Sequence, residues 1–263
     1  LARQLAPELS RQLHAPVVVE NMPGANGLIG MQRVRNAGRD ERVLVLASDH
    51  ATAQMPHADG DLAVVGLAAR YPYALVVAVA SGVASLRELQ SRLRSRTELA
   101  SIAVPAEGGI PEHVVDALSR SALTPITAVP YRGGNPAVVA LLGGHVTAAV
   151  VGISNVLELH RQGRIRILAV SGAVRSPAAP EAPTFAEEGV AGVAVMSHWA
   201  LYAPKNTLMD VAELNDALRQ ALSQPDAQRR LRALGLQPVR LDVAGSVNEL
   251  DKLMLSAKTR LAQ

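Results

Sequence analysis

Ser48, Asp49 and His50 stand side by side in the stretch ASDHAT (Ala47–Thr52), a residue set that could supply a nucleophile, an acid and a base. Neighbours along a chain rarely point at one another, and no GxSxG turn is present to lift a serine out of a strand. Glu112, His113 and Asp116 recur at helical spacing and could offer metal ligands. Without a second cluster, a solvated helix face is the better reading, and no metal is expected. His198 precedes the only tryptophan and could line a ligand site, whereas His14, His57, His145 and His160 read as surface residues. GGNPAV lacks the Lys and Ser/Thr of a phosphate-binding P-loop. These residues do not support catalysis, and no cofactor is expected.

Glycine-bearing junctions are the stronger signal. Four share one form, an apolar run followed by small or polar residues and then a helical pattern: ASDHAT, PAEGGIPEH (Pro105–His113), PYRGGNPAV (Pro130–Val138) and VGISNV (Val151–Val156). A fifth run ends at VSGAVRSP (Val170–Pro177). Glycine lets backbone N–H groups approach a ligand, and a helix N-terminus adds partial positive charge. Several such ends together could hold a carboxylate without an arginine. A turn is the competing role for Gly133 and Gly134, a solvated charge for Arg132, and an N-cap ahead of Pro136 for Asn135. Gly24 and Gly27, in VVVENMPGANGLIG (Val17–Gly30), read more readily as shaping a helix entry than as touching a ligand.

The elements that must position these loops alternate for most of the chain. Strand patterns are PVVVE (Pro16–Glu20), RVLVLAS (Arg42–Ser48), LAVVGLAA, YALVVAVA, ASIAVP, ITAVPY, VTAAVVG and IRILAVSG, with helical patterns between most of them. Such alternation predicts an α/β architecture with parallel sheets, whose ligands sit outside the carboxyl ends of strands. The pattern changes near SHWALYAP (Ser197–Pro204), and beyond it the chain reads as mostly helical. Two sheets, with the chain crossing near residue 98 and again near 200, fit this order. Domain 1 is then 1–98 with 200–263, and domain 2 is 99–199.

Size and composition agree. The 263 residues are 49% hydrophobic, enough for a sizeable core. Lys and Arg total 26 against 23 Asp and Glu, spread without long blocks, so nucleic-acid binding is not expected. There is no cysteine, which rules out disulfides and thiolate chemistry. No apolar window reaches the roughly 18 residues of a membrane span. The opening LARQLAPELSRQL reads as an amphipathic helix and not a signal peptide.

Taken together, PVVVENMPGANGLIG, VPYRGGNPAVVALLGGHV, GRIRILAVSGAVRSPAAPEAPTFAEEGV and HWALYAP resemble motifs of the tripartite tricarboxylate transporter receptors, the Bug-type periplasmic solute-binding proteins, in their order and spacing. The family's late Pro–Thr and Ala–Glu–x–Gly motif stands here as Pro183, Thr184, Ala186, Glu187 and Gly189. The resemblance implies a two-domain Venus-flytrap protein of the periplasm, each domain a mostly parallel sheet flanked by helices, that captures a small organic carboxylate in an interdomain cleft. It implies membrane transporter subunits as partners and a monomer as the default state. By position, the lining residues it implies are Ser48, Asp49, His50, Ala106, Gly108, Gly109, Ile110, Arg132, Gly133, Gly134, Asn135, Gly152, Ser154, Ser171 and His198. VVVENMPGANG matches a hallmark of domain 1 that is architectural.

Two departures bear on the ligand. The family's first strand and Gly-Gly anion loop have no counterpart in these residues, so the first strand of domain 1 is expected to be missing from this sequence. Val151 and Gly152 stand where the family carries Phe–Asp, which removes the acid that would grip an ammonium group and favours a plain carboxylate over an amino acid. Glu107 and Ile110 replace small hydroxyl residues. A signalling receptor and a truncated homologue without a transport ligand are the alternatives.

Overall fold

The computed structural model describes residues 1–55, 61–95 and 100–261, with the side chains of 53–54 and 254–261 left aside. His57 and the expected crossing near residue 98 lie outside the described residues. The chain divides into two units, Leu1–Arg70 with His198–Gln263 and Tyr71–Ser197. No helix among the described residues is long and apolar enough to cross a membrane.

The first unit holds a four-stranded sheet in the order β1-β8-β2-β9. Its strands are β1 (Val45–Ser48), β2 (Leu62–Tyr71), β8 (Ser197–Pro204) and β9 (Gln237–Pro238). SHWALYAP, read from the sequence only as a point of change, is thus a strand, antiparallel to β1. Met31, Leu67, Tyr202 and Leu250 fill the core beneath it. The unit's helices are α1 (Ala2–Gln12), α2 (Leu28–Arg35), α3 (Asp49–Gln54), α8 (Val211–Ser223), α9 (Pro225–Ala233) and α10 (Val243–Leu261). Leu5 and Leu9 are buried on one face of α1, at the spacing that aligns side chains along a helix. Buried Asn215 of α8 donates to the carbonyls of Val65 and Leu241 at 2.8 and 3.2 Å, tying the helix to the sheet.

Pro16–Glu20, expected as a strand, pairs with no strand among the described residues. Its valines carry β propensity, but the Val17 N–H is taken by Ser10 Oγ at 2.8 Å, and Val18 is 87% exposed. β-branched residues supply only a preference; a ladder needs an aligned neighbour.

The second unit is a five-stranded sheet, β5-β4-β6-β3-β7. The strands are β3 (Tyr73–Ala78), β4 (Ser101–Val104), β5 (Thr127–Pro130), β6 (Ala148–Gly152) and β7 (Ile165–Val170). Its helices are α4 (Leu86–Ser95), α5 (Ile110–Ala122), α6 (Gly134–Leu142) and α7 (Leu157–Arg161). β4 runs parallel to β5 and β6, whereas β3 runs antiparallel to β6 and β7. The sheets are mixed where mostly parallel ones were expected. Apolar runs such as YALVVA mark burial on both faces, which a central antiparallel strand meets equally well. The chain passes from the first unit to the second at Arg70–Tyr71, earlier than the expected residue 98, because β3 belongs to this sheet.

The late Pro–Thr motif has a structural explanation. Val170 N–H donates to Pro183 O, and Phe185 N–H to Val170 O, stitching this segment to β7. Thr184 N–H donates to Glu187 Oε2 at 2.6 Å and Glu187 N–H to Thr184 Oγ1 at 3.2 Å, a reciprocal capping box. These bonds, with Arg175 alongside, hold the Glu187 carboxyl below its usual pKa, the Thr184 N–H contributing most. A carboxyl whose folded pKa is lowered stabilises the fold above its unfolded value and loses that contribution as pH falls through the folded value. Glu187→Gln is therefore expected to lower Tm at neutral pH, and the gap to the parent should close in acid; a gap independent of pH would contradict this.

Candidate functional site

In the second unit the strand ends gather the expected residues at one edge. Register pairs Val104 of β4 with Pro130 of β5, Gly152 of β6 with Tyr73 of β3, and Val170 of β7 with Ala74 of β3. The carboxyl ends of β4, β5, β6 and β7 therefore share the edge where β3 begins. Ala106, Gly108, Gly109 and Ile110 follow β4; Arg132, Gly133, Gly134 and Asn135 follow β5; Gly152 and Ser154 close β6; Ser171 follows β7.

Two helices start at this edge. α5 is preceded by Gly109 and α6 by Gly133, and neither N-cap offers a side-chain hydrogen bond. The first N–H groups of a helix have no intrahelical partner, and their dipoles favour an anion. The first turn of α6 contains no acid, while α5 carries Glu112 there. Gly133 donates its N–H to Pro105 O at 2.8 Å, linking the two loops. Arg132 is exposed. The edge can therefore present backbone N–H groups, carboxamides and one guanidinium to a small anion.

The structure separates residues that the sequence placed on equal terms. Asn135 is not the N-cap; Gly133 is, and Asn135 lies inside the first turn of α6, where its Oδ1 accepts from Asn155 Nδ2 at 2.9 Å. The glycine can take φ 111°, which asparagine seldom does, so the helix begins two residues earlier than the Asn–Pro pattern suggests. Ser171 is fully buried, and its Oγ accepts from Tyr73 N–H at 2.8 Å while its own N–H donates to Tyr73 O. Ser154 is exposed and Ala106 buried.

Asn155 was absent from the expected set, although it lies within VGISNV. A second asparagine three residues beyond a strand-end glycine was its only sequence signal.

The first unit brings Ser48, Asp49, His50 and His198 to one end of its own sheet, where Ser48 pairs with Trp199. His50 Nδ1 stands 3.8 Å from Asp49 Oδ2. His198 is buried, with Nε2 3.4 Å from Thr52 Oγ1. Thr52 also borders Tyr202, whose phenol is pushed up in pKa by burial, an effect the threonine hydroxyl partly offsets. Thr52 is a second residue the sequence reading passed over, since nothing in its neighbours marks a contact 146 positions away.

The remaining candidates have local roles. His113 Nε2 meets Gly192 O at 3.0 Å. His160, expected at the surface, is half-buried between Ile165 O and Glu181, and its bond to Glu181 lowers that carboxyl's pKa. Its neighbouring β7 draws the ring inward. Among the described residues no group of three or more His, Asp or Glu side chains could hold a metal. A depression of about 920 Å³ lies at the opposite edge of the second unit, beside Ala78, Arg92, Ser101 and His145. It is remote from the glycine loops.

The PGANG turn depends on glycine backbone. Gly24 has φ 126°, and a methyl group there would meet Ile29 Cδ1 at 2.5 Å. Gly24→Val is expected to lower Tm by several degrees, from about 1–3 kcal/mol of backbone strain, and to leave ligand affinity unchanged. Loss of affinity at constant Tm would return this turn to the site.

Residues 1–257 match the model of the tripartite tricarboxylate transporter family receptors. The chain belongs to that family. Protein BugT of Bordetella pertussis is 32% identical over 91% of this chain and 76% of its own length. Among solved structures, MatC from Rhodopseudomonas palustris with bound malate is 29% identical, covering 98% of this chain and 91% of that one with a TM-score of 0.84. Rpa4515 of R. palustris with adipate is 26% identical over 98% and 91%, with a TM-score of 0.81. The receptor thus shares its two-unit α/β fold with solute-binding proteins whose solved forms hold dicarboxylates.

Proposed function

We propose that this receptor captures a small organic carboxylate, a dicarboxylate in the size range of malate to adipate, in the periplasm and delivers it to a tripartite tricarboxylate-type transporter in the membrane. The observation that carries the reading is the pair of glycine-capped helix starts, α5 and α6, at adjoining strand ends of the second unit. The two helix starts offer a carboxylate backbone N–H donors and the partial positive charge of the helix dipoles. The family membership and the malate and adipate held by two relatives support the same class. Binding, with no covalent step, is what backbone donors and carboxamides serve best; none of them is a nucleophile.

A thermal-shift panel tests this. Mono-, di- and tricarboxylates, aromatic acids and amino acids are each added to the protein at millimolar concentration. A ligand that binds only the native state raises Tm, by about 2.7 kcal/mol of added stability at a hundredfold excess over Kd. Dicarboxylates are expected to give the largest rise. A response confined to amino acids, or none to any acid, would overturn the reading.

A further inference from the structure

The Asn155 side chain lies across two glycines whose backbone does not require glycine. A methyl group on Gly134 would stand 2.6 Å from Asn155 Oδ1 and 2.7 Å from its Cγ, and one on Gly152 would stand 3.3 Å from the same oxygen. Gly152 has φ −56°, and Gly134 is not among the glycines of positive φ. Both positions provide room; Asn155 alone takes it at Gly134 and shares it with the Tyr71 ring, at 3.1 Å, at Gly152. From that seat its Nδ2 donates to Asn135 Oδ1 at 2.9 Å.

A carboxamide accepts at one end and donates at the other. With its oxygen engaged, Asn135 keeps its NH2 for whatever approaches, and the residue is exposed in the first turn of α6. We infer that Asn155 is a positioning residue that sets the polarity of this edge. It holds Asn135 as a hydrogen-bond donor beside the unpaired N–H groups of α6, and so selects for a carboxylate and against an ammonium group. The inference rests on the carboxylate-receptor reading of the same loops, but its central contact exists without ligand.

Asn155→Asp keeps the shape and removes the donor. Asn135 must then turn, giving its NH2 to the new carboxylate and showing its oxygen outward. By calorimetry the Kd for malate and for adipate should rise at least about tenfold, or 1.4 kcal/mol, with little change in Tm. A direct repulsion by the added charge is separated by a cycle: with Asn135→Ala already in place, the same substitution should cost far less. Equal losses in both backgrounds would overturn the inference.

Two measurements need no ligand. Side-chain NH2 exchange followed by NMR should find Asn155 protected and Asn135 exchanging freely; the reverse would overturn the assigned polarity. Gly134→Ala should lower Tm in the parent and much less beside Asn155→Ala; equal drops would remove Asn155 from its seat. If the parent binds neither malate nor adipate, the carboxylate reading fails, while these two measurements still decide what Asn155 does.

Discussion

Replacing Gly133 with leucine is expected to raise the Kd for malate or adipate about a hundredfold, close to 2.7 kcal/mol, while the protein remains folded. Gly133 adopts φ 111° and ψ 169° as the N-cap of α6. A residue with a Cβ reaches that conformation only at a cost of about 1–3 kcal/mol, so the backbone relaxes instead and turns the first N–H groups of the helix away. Space is not the problem, because a methyl group there would have only Pro136 Cδ near it, at 3.9 Å. Gly133→Ala separates conformation from bulk: it should reproduce most of the loss. Calorimetry read beside circular dichroism and Tm checks both variants. Unchanged affinity in both would take YRGGN out of the site.

Phe185→Ala is expected to have the largest effect on stability, about 3–5 kcal/mol. Phe185 is the sole phenylalanine, 1% exposed, and stands within the late motif that is stitched to β7. Its N–H donates to Val170 O, and its own carbonyl accepts from Val190 N–H. Truncation leaves a cavity where the motif is anchored and lets the 183–190 segment loosen from the sheet edge. Urea unfolding should show the midpoint falling with little change in slope; a loss below about 1 kcal/mol would mean the segment is held by its backbone bonds and capping box alone. Phe185→Leu, which keeps most of the buried volume, should recover the larger part.

Much of the architecture was legible in linear patterns. Continuous apolar runs marked β2, β3, β6 and β7, helical patterns were legible between most of them, and the glycines after β4 and β5 marked where helices begin. These are local signals, set by side-chain periodicity and by the few residues that tolerate unusual backbone. Strand direction was not legible, since a run buried on both faces looks the same whichever way its neighbours point. Nor was the fate of PVVVE, whose valines propose a strand that no neighbour completes.

The glycines divide along the same line. By itself the sequence determined the family, whose model matches residues 1–257, and marked glycine-bearing strand ends as candidate places for a small anion. It could not distinguish a glycine needed for its φ from one needed for its missing side chain. Only the tertiary structure decided that Gly133 is the first kind and Gly134 the second, because the reason for Gly134 is Asn155, a residue brought against it by the pairing of β4 with both β5 and β6. Backbone preference is written locally in the chain. The room a side chain takes from its neighbour is a property of the fold.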